Sequence, residues 1–546
     1  MMKNIKMISV LFAANLLFSC NEKSDYDSAS RITAESLQKH IQELSSDAYL
    51  GRMPFTKGEE KTLAYLKAQF EEMGLASGNG ESYFQDVPLV EITTEADTVM
   101  RIEGNGERMD LLGLKDYVIY TERQDPKIKV EDAELVFAGF GIVAPEYDWN
   151  DYEGLDVEGK IVVVLVNDPG FGTEGDFFKG NTMTYYGRWT YKFEEATRQG
   201  ALGCLVVHNT IPAGYGFNVV QNGWNTPKLY LNPKDKSAHQ LAFDGWLSLP
   251  AATKIFQMAG YNDRELLAKA RKPGFEAIPL GLKASTSLKV STRFNTSKNV
   301  IAKRDGSKHP DEYLIYTAHW DHIGVGKPDA DGDSIYNGAL DNASGTAALL
   351  EIAEAFAFGQ EPERTVVFLA VTAEEQGLLG AAYYTEHPVY PILQTIANIN
   401  MDGINPYGKM KDIVVVGKGQ SDLEDVLARE AEKQGRYTSE EPTPSAGYYF
   451  RSDHFNFAKK GIPALYTGTG IDHVEKGKEF GKSLQDEYRA KYYHKPSDEF
   501  DTTRWNLDGA VEDVELLYRV GRAVVAEESW PAWKEGSEFK VLRESK

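Results

Sequence analysis

The chain has 546 residues, 42% of them hydrophobic and 26% charged, a globular composition that excludes a disordered or collagen-like chain and allows three or four domains. Its formal net charge is −23, from 59 basic and 82 acidic residues, which repels phosphate backbones, so no nucleic-acid partner is expected. Two cysteines, Cys20 and Cys204, are too few for a disulfide framework or a Cys-rich zinc site.

In chain order, Lys3 and Lys6 precede an apolar run over 7–18, which Leu17-Phe18-Ser19-Cys20 closes. A positive start, a short apolar run and a small residue before the cut mark 1–19 as a signal peptide. The run is too short to span a membrane. A cysteine at this place resembles the bacterial lipoprotein box. That resemblance implies an exported lipoprotein, attached to a membrane only through a lipid at Cys20 and located in the periplasm, on the outer membrane or at the cell surface. Residues 20–30 are polar and read as a tether.

Apolar spacing predicts helices over 32–44 and 58–73, the N-terminal part of a main domain assigned to 31–110. Residues 85–130 read as short strands with turns. A buried strand over 161–166, a helix over 192–200 and a strand over 205–207 suggest a separate α/β unit. From about 297 the elements lengthen. Strands are expected over 313–317, 365–371, 396–401, 413–416 and 462–466. Helices are expected over 342–358, from near Glu374, over 421–433 and over 511–526. This alternation predicts an α/β fold with a mixed, mainly parallel sheet flanked by helices on both faces.

In such sheets reactive groups sit past the carboxyl ends of strands. Those places hold His319-Trp320-Asp321-His322, Asp341-Asn342, Glu374-Glu375, Asp402 and, before the closing helix, Tyr493-His494-Lys495-Pro496-Ser497-Asp498. Singly, each has an ordinary explanation. Asp341 suits a helix N-cap, Glu374 and Glu375 a first helical turn, and Asp402 before Gly403 a turn. His319 and His494 could be packing or loop residues. Together, in order, they form a set of imidazoles and carboxylates that suits zinc.

The ordered set His319-x-Asp321, Asp341-Asn342, Glu374-Glu375, Asp402 and His494 resembles the co-catalytic zinc aminopeptidases. That family also holds the glutamate carboxypeptidases and the transferrin-receptor-like proteins. The resemblance covers about 295–530, with the helices of 31–75. Residues 134–290 resemble a protease-associated domain, through Tyr152-Glu153-Gly154-Leu155-Asp156-Val157-x-Gly159-Lys160 and the segment 196–207. The insertion is placed at 111–294 and the catalytic domain at 295–546.

The resemblance implies a zinc exopeptidase fold and two zinc ions. His319, Asp341 and Asp402 would hold one, and Asp341, Glu375 and His494 the other. Glu374 would be the general base, and Asp321 would fix the ring of His319 through its second nitrogen. His322 receives no role. Tyr493, Tyr448 and Tyr449 are candidates for stabilising the oxyanion. Asp329-x-Asp331-Gly332-Asp333 is not an EF-hand, because Leu340 stands where a carboxylate is needed; it reads as a solvated loop. Tyr185, Tyr186, Trp189 and Tyr191 suit core packing or an overhang of the active site. The expected function is removal of N-terminal residues from peptide substrates, with the inserted domain limiting access. Alternatives are a dipeptidase or glutamate-type carboxypeptidase, a one-zinc glutaminyl cyclase, and a binding module that has lost its metals.

Overall fold

The computed structural model describes residues 26–544, so the expected signal peptide over 1–19 and Cys20, the expected site of lipidation, lie outside the described residues. The tether expected over 20–30 is corrected at its end. Tyr26–Ala29 is a short helix; Ala29 is buried in the main core, and Ser28 shares a 2.9 Å hydrogen bond with Tyr518. Among the described residues no helix is long and apolar enough to cross a membrane.

The expected sheet is present. Arg364–Val371 pairs in parallel with His309–His319, which pairs in parallel with Thr395–Asn400, and that strand pairs in parallel with Ala464–Gly468. Antiparallel neighbours close both sides: Ile278–Arg304 beside Arg364–Val371, and Asp412–Val415 beside Ala464–Gly468. Arg364–Val371 is buried along its whole length, as a strand covered on both faces must be. One face packs on the helices Ala34–Leu44, Lys57–Glu72, Gly345–Phe358, Leu423–Lys433 and Asp508–Ala526. The other packs on Leu379–Glu386 and His454–Lys459. The helix predicted over 32–44 begins after Thr33, whose hydroxyl accepts from Ser36 N at 3.1 Å while the Ser36 side chain returns the bond to Thr33 N, a reciprocal N-terminal cap.

A second core lies beyond this sheet. Tyr117–Tyr120, Phe243–Ser248, Gly203–His208, Ile161–Leu165 and Lys127–Phe137 pair in that order, and their inward side chains pack with Met100, Ile102 and Leu111. The two cores share one element. Ile278–Arg304 is a 27-residue strand that pairs with Lys127–Phe137 near its start and with Arg364–Val371 at its end. It also runs antiparallel to Phe84–Ala96 from Leu288 opposite Ala96 to Val300 opposite Phe84.

The expected domain limits both fall inside strands. The 110/111 boundary falls inside the strand Glu107–Leu112, whose Leu111 belongs to the second core, and 294/295 falls inside Ile278–Arg304. Continuous pairing leaves no loop at which composition could change. The short strands expected over 85–130 likewise include one of 13 residues, Phe84–Ala96. Tyr186 and Tyr191 are buried in the second core. Tyr185 packs across to Phe450, Phe455 and Phe539 of the main domain, so it seats one core on the other.

Candidate metal centre

The parallel strands deliver the chemistry to one edge. His319 is the last residue of its strand, Glu374 and Glu375 lie just past Arg364–Val371, and Asp402 lies just past Thr395–Asn400. Asp341 enters from the turn that precedes Gly345–Phe358. His494 follows the helix Gly477–Lys491 in a left-handed conformation, φ 56°.

All five expected ligands converge. His319 Nε2 lies 3.3 Å from Asp402 Oδ1 and 3.4 Å from Asp341 Oδ1. His494 Nε2 lies 3.1 Å from both Asp341 Oδ2 and Glu375 Oε2. Atoms bound to one tetrahedral zinc at about 2.0–2.1 Å are separated from each other by roughly 3.3 Å. Both triads match that edge, and Asp341 offers one oxygen to each. The residues present therefore fit zinc, with Asp341 common to both triads. Glu374 Oε2 stands further off, 4.0 Å from His319 Nε2, although it lies close enough to His319 and Asp402 to complete a third possible ligand set.

The surroundings set the charge of these groups. Burial pushes the Asp341 carboxyl up, but His319 and His494 against its two oxygens hold it well below the usual carboxylate range. Burial dominates at Glu374 and raises its carboxyl well above the usual value, with His319 offsetting part of the effect and Asp402 and Glu375 adding to it. The two adjacent glutamates therefore differ in proton affinity, since Glu375 is held at about 2 against its burial and the nearby Asp341 by hydrogen bonds and charge from His322 and His494.

Two expectations are corrected here. No helix begins near Glu374; the helix starts at Leu379, after a loop in which Ala373, Gly377 and Leu378 have positive φ. Asp321 does not clasp the His319 ring with its carboxylate, which lies 3.8 Å from Nδ1. The nearest acceptor for Nδ1 is the Asp321 main-chain oxygen at 3.2 Å. The Asp321 carboxylate instead accepts from Glu374 N at 3.0 Å and Glu375 N at 3.4 Å. It thus holds the glutamate loop in place of a first helical turn. Burial lifts its own carboxyl to about 6.

Three residues of the site receive no role from the sequence. Asp498 is buried and accepts from Leu340 N and Asp341 N at 3.1 and 3.2 Å, which fixes the Asp341 turn; its nearness to His494 was the one available signal. Arg52 is 1% exposed and donates to the carbonyls of Trp320, Asn337, Gly338 and Leu44 at 2.6–2.9 Å. It underlies the segments that present Asp321 and Asp341, and nothing in its local sequence marks it. Tyr466 ends with its hydroxyl 3.5 Å from the Asp402 main-chain oxygen, facing the cavity.

That cavity, of about 760 Å³, holds Asp341, Glu374 and Asp402 on its wall together with Tyr493, Tyr448 and Tyr466. Tyr493 stacks on His494 with ring centroids 3.8 Å apart. Tyr449 is buried in a separate cluster and does not line the cavity. Gly214, Tyr215 and Val219 also line it, whereas Tyr185, Tyr186, Trp189 and Tyr191 do not.

Residues 299–518 match the model of peptidase family M28, and the chain carries a domain of that family. Aminopeptidase NAALADL1 of Rattus norvegicus is 32% identical over 460 residues, 71% of this chain and 56% of that protein. A glutamate carboxypeptidase 2 homolog of Caenorhabditis elegans is 23% identical over 437 residues, 68% of this chain and 51% of that protein. The chain thus spans about half the length of these relatives. An aminopeptidase from Aneurinibacillus sp. strain AM-1 shares the fold, with a TM-score of 0.51 and 19% identity over 91% of this chain and 95% of that one.

Proposed function

We propose that the chain is a di-zinc exopeptidase that releases N-terminal residues from peptides. The observation that carries this reading is Asp341, with one oxygen toward His319 and the other toward His494 at distances suited to two ligand triads. His319, Asp341 and Asp402 would hold one zinc, and Asp341, Glu375 and His494 the other. When bound, two such ions supply a water that is nucleophilic at neutral pH and polarise the scissile carbonyl.

The chain's own residues do the rest. Glu374 stands back from both triads and faces the cavity, so its carboxylate takes a proton from the attacking water and passes it to the leaving amine nitrogen. Tyr493 lines the cavity beside His494 and donates its hydroxyl to the carbonyl oxygen as negative charge develops there. The aminopeptidase activity in the name of the rat relative supports release of N-terminal residues.

A second reading rests on Arg451, which lines the same cavity and offers a cation to a terminal carboxylate. Access is limited by the inserted unit, read here as a protease-associated domain, through Gly214, Tyr215 and Val219. Export and lipidation at Cys20 belong to the same proposal and rest on residues 1–20 alone. A substrate panel tests it: aminoacyl-anilides, N-blocked dipeptides and a folded protein. Cleavage of the anilides and sparing of the folded protein is expected. Cleavage of N-blocked dipeptides alone would replace the aminopeptidase with a carboxypeptidase.

A further inference from the structure

We infer that His322 is a positioning residue for Glu375 in the second metal site, and not a ligand; this rests on the di-zinc reading above. His322 is fully buried, and its Nδ1 lies 2.5 Å from Glu375 Oε1. The other oxygen, Oε2, faces His494 Nε2 at 3.1 Å. The two oxygens of Glu375 are thus divided between two histidines with different geometry.

His322, Asp341 and Glu375 lie close enough together to suggest a ligand set of their own. Distance separates the candidates. Ligand atoms on one tetrahedral zinc sit roughly 3.3 Å apart, which the His494 contacts approach and the 2.5 Å His322 contact does not. A separation of 2.5 Å is that of a short hydrogen bond, with the proton on Nδ1, because an ionised carboxylate can only accept. Donation to Oε1 turns Oε2 toward Asp341 and His494. Such partners of a liganding group fix its orientation.

The ring is built into this place. Gly338 has φ +54°, and a Cβ there would come within 2.5 Å of the His322 ring. The Gly338 carbonyl is in turn held by Arg52. Nδ1 is the ring nitrogen of His322 that meets Glu375, at Oε1; Nε2 is buried without a hydrogen-bond partner among the described residues.

Release of zinc from the purified full chain to a graded chromogenic chelator tests the inference. Wild type should release zinc in two steps. His322→Ala should release the second zinc at roughly 10–100-fold lower chelator concentration, the usual effect of losing such a partner, with the first step unmoved. His322→Asn, whose amide can donate from near the place of Nδ1, should restore most of the difference, which a merely structural role would not require. Unchanged release from His322→Ala overturns the inference, as does a loss in His322→Asn equal to that in the alanine variant. If His494→Ala keeps the second zinc while His322→Ala loses it, His322 is the ligand. A wild-type protein with no zinc to release overturns the di-zinc reading, and this inference with it.

Discussion

Glu374 and Glu375 are neighbours in the chain with opposite environments, and their separation is the sharpest test at the scale of single residues. Glu375 faces two histidines, while Glu374 stands 4.0 Å from the nearest one. Glu374→Gln should therefore lower kcat by at least ~10²-fold, the usual scale for a general base, and keep both zinc ions. Loss of zinc from that variant would place Glu374 among the ligands. The five converging residues were legible because each follows or precedes a strand or helix whose apolar pattern is clear, and strand ends meet at one edge. The partners that hold them were not. The family resemblance implies that Asp321 fixes the His319 ring, but its carboxylate turns to the glutamate loop. Arg52 and Asp498 act across hundreds of residues or through backbone amides, and no local pattern records such contacts.

Among the elements, the segment Asp47–Arg52 has an effect out of proportion to its length. It carries one buried guanidinium to four carbonyls, three of them in the segments that present Asp321 and Asp341. Burial lowers the affinity of Arg52 for its proton to about 10, with the carboxylates of Asp321, Asp341 and Asp498 acting against the loss, so it stays charged at neutral pH. Arg52→Met removes the donors and leaves buried carbonyls unpaired, at a cost of about 3 kcal/mol or more. Melting should fall by several degrees and activity should fall with it. A variant with unchanged melting and rate would show that the segment is packing only. The sequence marks most helices and parallel strands to within a few residues, since their apolar periods are long. It misplaces the helix after Arg364–Val371 because two acidic residues suit a first turn as well as a metal loop. The strand Ile278–Arg304 is missed because it serves two cores, and its burial pattern changes along its length.

At the scale of the whole molecule, one antiparallel ribbon joins two cores, and side chains from both line a single cavity. This explains why domain limits could not be placed from composition: the chain passes from one core to the other without leaving a sheet. Gly214, Tyr215 and Val219, which line that cavity, are not among the five expected ligands. The account as a whole stands on Asp341 serving two metals at once. The most direct measurement is zinc content per chain in the purified protein, compared with Asp341→Asn. Two zinc ions in the wild type and weakened binding at both sites in the variant are predicted. A wild type with one zinc or none, or an Asp341→Asn protein that holds two zinc ions as tightly as the wild type, would contradict it.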